Sequence, residues 1–170
     1  TSKSLLFQPL LYAYDKYSYM QLAGKQVLHA VPAKVWALLM DPDTLVHLVP
    51  GITNLEKIGD NSFKSVFDIK LGPVRGSFTG NLQMEDVTEN KGYVLKLQQN
   101  SKIGNASAVV KIGLVPVGDS QTELDFDGDV KLSGLLASMG QRVIGGVANT
   151  LTKQFFHNLE KALEKSVSAR

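Results

Sequence analysis

Residues 73–85 read PVRGSFTGNLQME, and they alternate without a break. Val74, Gly76, Phe78, Gly80, Leu82 and Met84 fall on one side, and Arg75, Ser77, Thr79, Asn81, Gln83 and Glu85 on the other. Successive side chains of an extended chain point to opposite faces. The stretch therefore predicts a strand with one apolar face and one face in water. Working outward, Thr122–Leu132 sets Leu124, Phe126, Gly128, Val130 and Leu132 against Glu123, Asp125, Asp127, Asp129 and Lys131. Three further runs, Phe63–Leu71, Tyr93–Gln99 and Asn105–Pro116, have the same pattern. Their inward sets are Phe63, Ser65, Phe67, Ile69 and Leu71; Tyr93, Leu95 and Leu97; and Ala106, Ala108, Val110, Ile112 and Leu114. Turn-forming clusters such as Gly59-Asp60-Asn61, Gly72-Pro73 and Gly118-Asp119-Ser120 separate the runs. Consecutive alternating strands with short connections predict an antiparallel meander.

Helical spacing flanks the strands. After a first strand at about residues 21–30, Pro32 suits a first helical turn and leads into Val35, Trp36, Leu38 and Leu39. Asp41-Pro42-Asp43 ends that helix and starts a second short one through Leu45, Val46 and Leu48, which Pro50-Gly51 stops. Beyond the strands, Ser133 is the expected N-cap of one long helix from Leu135 to about Lys165. Leu136, Val143, Val147, Leu151, Phe155, Leu159 and Leu163 form its apolar ridge, widened by Met139, Ile144, Ala148 and Phe156. Such a helix is about 45 Å long. Gly145-Gly146 is the expected site of any bend. Strands grouped together and followed by a helix give an α+β class, with the helix laid across the concave apolar face of the sheet.

Composition bounds the function. The chain has 170 residues and 18.5 kDa, the size of one domain. With 44% hydrophobic and 20% charged residues it is an ordinary globular chain. It has no cysteine, which removes disulfides, thiolate metal sites and thiol nucleophiles together. Eighteen basic against sixteen acidic residues give +2, too even for nucleic acid as a partner. No run of about 18 apolar residues is present to span a membrane. The first 19 residues are a poor signal peptide, with Gln8 and Pro9 breaking the apolar run. A cytoplasmic protein, peripheral to a membrane at most, is expected.

Catalytic constellations are missing from the pattern. His29, His47 and His157 are dispersed without metal-ligand spacing. Asp125, Asp127 and Asp129 resemble the start of a calcium loop, but its twelfth position holds Leu136 in place of an acid. No metal or cofactor is expected. The polar inward positions are Ser65, Tyr93, Gln99 and Thr122, and none is His, Asp or Glu, which disfavours general acid–base chemistry. The inward face instead carries small residues: Ser65, Gly76, Gly80, Ala106, Ala108 and Gly128. They either admit strand curvature or close helix approach, or leave an apolar cavity between sheet and helix. On the cavity reading, Gly80→Leu blocks ligand uptake and leaves the fold intact. The candidate lining is Trp36, Phe67, Ile69, Gly76, Phe78, Gly80, Leu82, Leu95, Leu97, Ala108, Val110, Phe126, Gly128, Met139, Val143, Val147 and Leu151.

MQLAGKQVLHAVPAKVWALLMDPDTLVHLVPG (20–51), GPVRGSFTGNLQMEDV (72–87) and SGLLASMGQRVIGGVANTLTKQFFHNLEKAL (133–163) resemble the G-subunit family of carbon monoxide dehydrogenase. That family belongs to the START-like, helix-grip superfamily. The resemblance implies a seven-stranded curved antiparallel sheet wrapped around a long C-terminal helix, with two short helices after the first strand. It implies a hydrophobic tunnel for a lipid or quinone-like ligand, and a non-catalytic accessory role beside the subunits of a molybdenum-type carbon monoxide dehydrogenase. Aromatase/cyclases share the superfamily, so an enzyme is the alternative, and an interaction subunit without a ligand is a third reading. The resemblance begins near Met20, so residues 20–166 are read as one START-like domain. Residues 1–19 are read as an extension that packs on its own groove or pairs two copies of the chain. The family often continues into a hydrophobic tail, whereas this chain ends at Arg170, so direct membrane anchoring is not expected.

Overall fold

The computed structural model describes residues 17–168. Strand β1 (Tyr17–Leu28) leads into helices α1 (Pro32–Leu39) and α2 (Pro42–Leu48). Strands β2 (Ile52–Gly59), β3 (Ser62–Leu71), β4 (Val74–Thr88), β5 (Gly92–Ser101), β6 (Gly104–Val117) and β7 (Gln121–Ser133) follow. The chain closes with a short α3 (Leu135–Ser138) and a long α4 (Gln141–Ser168). All seven strands form one antiparallel sheet in the order β1-β7-β6-β5-β4-β3-β2. The five runs read by alternation are β3 to β7, and their apolar sets do turn inward. Residues 1–16, which include most of the proposed extension, lie outside the described residues. Tyr17–Tyr19 belong to β1, which starts earlier and ends sooner than the sequence reading placed it.

Registers line the inward side chains up in rows across the sheet. Ser65, Gly80, Gln99, Ala106 and Leu132 make one row, and Leu82, Leu97, Ala108, Val130 and Met20 make the next. Leu95, Val110, Gly128 and Leu22 follow, then Tyr93, Ile112, Phe126 and Gly24. Two apolar clusters seal the ends of this face. One joins Leu28, Val35, Leu39 and Leu48 to Leu159 and Leu163 of α4. The other joins Ile69, Val74, Phe78 and Leu132 to Leu136 and Ile144. Hydrogen bonds pin α4 at its first residue and past its middle: Gln141 Nε2 donates to the Tyr19 carbonyl at 3.0 Å, and Asn158 Nδ2 to the Leu48 carbonyl at 3.0 Å. What separates the helix from the sheet between these pins is the space described below.

Three features depart from the sequence reading. The long helix is interrupted: α3 ends at Ser138, and Gly140, at φ 84°, turns the chain before α4 starts. Gly145 and Gly146, where a bend was expected, lie inside continuous helix. Ser133 is not the cap either. Gly134 holds the N-cap position, and Ser133 Oγ accepts from the Asn105 amide at 3.2 Å. Because Gly140 resets the helical phase, the seven-residue step from Leu136 to Val143 no longer keeps one face. Val143 is 37% exposed, and Ile144 takes the inward place. Alanine at Gly140 has open space around its Cβ, so its cost is conformational alone. Gly140→Ala should lower stability by about 1–2 kcal/mol in urea unfolding.

Thr122 is fully buried, and its hydroxyl donates to the Ala30 carbonyl at 2.7 Å. This bond ties β7 to the turn that launches α1. Thr122→Val keeps the shape and orphans that carbonyl, so the urea midpoint should fall by an amount equivalent to about 1–2 kcal/mol.

Candidate functional site

A cavity of about 360 Å³ lies between the concave face of the sheet and α4. The sheet supplies Leu22, Ile52, Leu55, Phe67, Ile69, Leu82, Met84, Tyr93, Leu95, Leu97, Val110, Ile112, Leu124 and Phe126. Leu39, Leu45, Val49 and Pro50 close one side, and Leu151, Thr152, Phe155 and Phe156 form the roof. Phe156 packs on Phe126 with ring centroids 5.9 Å apart and on Phe155 at 5.5 Å, which sets the height of the helix above the strands. The volume falls within the range of small-molecule pockets.

Of the residues singled out by sequence, Phe67, Ile69, Leu82, Leu95, Leu97, Val110, Phe126 and Leu151 line this space. The others do not. Trp36 is core, set edge-on to Tyr93 with centroids 6.0 Å apart and planes at 68°. Phe78, Met139 and Val147 belong to the cluster at the α3 end, Ala108 is buried beside the cavity, and Val143 is exposed. The glycines do not line it. A Cβ on Gly80 would land on the Gln98 carbonyl oxygen, and one on Gly128 on that of Val109. Both are close approaches of one strand to the next, a role that neither the helix-approach nor the cavity reading gave them. Gly80→Leu therefore cannot separate a blocked cavity from a broken sheet. A Cβ on Gly76 would meet only Ile103, at 3.8 Å.

Sequence reasoning passed over several lining residues. Met84, Tyr93, Ile112 and Leu124 were already in the inward sets. Ile52 and Leu55 were hidden by a register shift between Ile52 and Asn54, which places two inward residues three apart. Leu39, Leu45, Val49 and Pro50 come from the two short helices and the turn after them, where no strand pattern could announce them.

Polar chemistry in and around the cavity is sparse. No His, Asp, Glu, Lys or Arg lines it. Thr152 directs its proton into the helix, donating to the Ala148 carbonyl at 2.8 Å. Tyr93 is buried, and burial pushes its phenol well above the usual tyrosine range. Behind the lining, Gln99 Nε2 reaches over Gly80 to donate to Ser65 Oγ at 2.8 Å. On the outer face, Asp127 accepts from Gln21 Nε2 at 3.0 Å, and the Asp125–Asp129 run is a strand stripe. Among the described residues no group of three or more carboxylates and histidines is placed to hold a metal ion. No helix among them is long and apolar enough to cross a membrane.

Comparison with known proteins agrees with this architecture. A conserved protein from Geobacillus kaustophilus is 30% identical, with TM-score 0.84, over 86% of this chain and 97% of that one. A START superfamily protein from Mycobacterium smegmatis shares the fold at 16% identity, with TM-score 0.67 over 85% of this chain and 97% of that one. The Zhui aromatase/cyclase from Streptomyces sp. R1128 shares it at 11% identity, with TM-score 0.67 over 88% and 96%. No curated protein matches the sequence. The family model for CoxG, the G-subunit of carbon monoxide dehydrogenase, matches residues 24–164, the span from β1 through most of α4. With its seven-stranded sheet closed over a C-terminal helix, this chain belongs to the CoxG family of carbon monoxide dehydrogenase, on a START-like helix-grip fold.

Proposed function

We propose that this chain binds a hydrophobic small molecule, lipid-like or quinone-like, between its sheet and α4, and performs no chemistry on it. The observation that carries the reading is the cavity of about 360 Å³, walled by aliphatic and aromatic side chains. A well-packed interior leaves few voids larger than a water molecule. An apolar space this large costs stability when empty and is filled favourably by apolar matter. Family membership supports an accessory role beside a molybdenum-type carbon monoxide dehydrogenase. Peripheral membrane contact fits the end of the molecule around α3. There Lys70, Arg75, Lys102 and Arg142 are exposed near Leu135, itself 55% exposed. Pairing of two copies through residues 1–19 is also part of the proposal.

An aromatase/cyclase activity is the alternative that the shared fold raises. It needs proton donors and acceptors that titrate near neutral pH, and the cavity offers none. Titration with the apolar dye N-phenyl-1-naphthylamine tests binding directly. One dye per chain, displaced by a fatty acid or a naphthoquinone, is the expected result. Failure of dye, fatty acid and naphthoquinone alike to bind would leave the interaction subunit without a ligand as the better reading.

A further inference from the structure

We infer that the free edge of β1 pairs two copies of this chain, strand against strand and antiparallel, about a twofold axis at Ala23. β1 and β2 are the outer strands of the sheet, and they differ in how their free edges are guarded. β2 has 8 residues, carries Glu56 and Lys57 side by side, and is broken by register shifts at Ile52/Asn54 and Lys57/Gly59. Shortness, charge and bulges keep a strand edge from pairing. β1 has 12 residues, pairs with β7 without a register shift, and has Lys25 as its one charged residue. Gln141 of α4 reaches this edge at the Tyr19 carbonyl, and the strand runs on to Leu28 beyond it. A regular, weakly charged edge is a template for a further strand.

The outer-face side chains of β1 select a second copy as that strand. Tyr19 is 59% exposed and Val27 40%. Antiparallel pairing centred on Ala23 sets Tyr19 of each copy against Val27 of the other, an aromatic against a β-branched residue. It sets Gln21 against Lys25 in the same way, so no like charges meet. Beyond Gln21 in that row stands Asp129 of β7, and Lys25 has Asp125 of its own chain on its other side. Each lysine therefore lies in a row between two aspartates, the farther one two strand spacings or about 10 Å away and within the span of its long stem. Symmetry makes every one of these matches twice, which an unrelated peptide does not offer. The contact is centred past residues 1–19 and is independent of the ligand. A single strand pair is a narrow interface, so the dimer forms as concentration rises.

Analytical ultracentrifugation of the full chain should show its mass rising with concentration from 18.5 kDa toward twice that value. Because the chain has no cysteine, single introduced thiols report the register. At the axis the two copies of residue 23 stand about 4.5–5.5 Å apart between Cα atoms, within disulfide reach, so oxidised Ala23→Cys should give a covalent dimer. Val27→Cys should not, since its two copies lie about 27 Å apart. Lys25→Glu places an acid between Asp125 and Asp129 and should weaken the dimer about tenfold, and adding Gln21→Lys should restore it. A mass that stays at 18.5 kDa throughout, or Val27→Cys crosslinking as readily as Ala23→Cys, overturns the inference. So does a dimer that Lys25→Glu leaves unweakened. None of these results bears on ligand binding, which the dye titration tests separately.

Discussion

Gly80→Ala should yield no folded protein, or one destabilised by about 4 kcal/mol or more. Gly80 lies on the inner face of β4, between Ser65 of β3 and Gln99 of β5. An added Cβ coincides with the Gln98 carbonyl oxygen and lies 3.0 Å from the Gln99 Cα. Ordinary overpacking costs about 1–3 kcal/mol because side chains can turn aside. Here the obstacle is the backbone of a paired strand. Relieving it means parting β4 from β5, against a total stability of about 5–15 kcal/mol. Gly76→Ala is the internal control, on the same face of the same strand. Its Cβ makes only ordinary contact with Ile103, so its urea midpoint should stay within about 1 kcal/mol of wild type. A Gly80→Ala chain as stable as Gly76→Ala would show that the sheet does not close at this point as described.

The second large effect concerns the ligand. Leu97 and Leu151 face the cavity from opposite walls, β5 and α4. Leu97→Trp combined with Leu151→Trp puts two indoles into a space of about 360 Å³. Affinity for N-phenyl-1-naphthylamine should fall about hundredfold, near 3 kcal/mol, with the circular dichroism spectrum unchanged. Filling a void adds contacts that the wild-type chain lacks, so the thermal midpoint should hold or rise. Undiminished affinity in a folded double variant would place the dye elsewhere, and loss of the fold would mean that the walls are already in contact. The pair thus separates an open cavity from a solid core, which a change at Gly80 cannot do.

The contrast between the two experiments shows what the amino-acid order could and could not reveal. Alternation depends on local chain geometry alone, so β3 to β7 and their inward sets were legible residue by residue. β2 was not, because its register shift breaks the period, and it entered only through the family resemblance. The interruption at Gly140 was equally silent. By propensity a glycine pair is a weaker point in a helix than a single glycine, yet Gly145 and Gly146 keep helical geometry while Gly140 takes a positive φ.

The site was half legible for a related reason. Knowing that Gly80, Gly128 and Leu97 face inward does not say how far the opposite layer stands. Distance between layers is set by Phe155 and Phe156 of α4 packed over Phe126, and by the bonds that Gln141 and Asn158 make from the helix. Those are long-range relations. Gly80 and Gly128 accordingly marked close strand contacts, whereas larger residues, Leu95, Val110 and Ile112 among them, line the open space. Tyr93 was visible as an inward polar residue, but its edge contact with Trp36 follows from the fold.

Native mass spectrometry of the chain, purified from a respiring bacterium and then extracted with organic solvent, tests the central claim most directly. One apolar adduct per chain is expected, released by the solvent and identified as a lipid or quinone. A bare mass, from protein that also fails to take up added quinone or fatty acid, would contradict it.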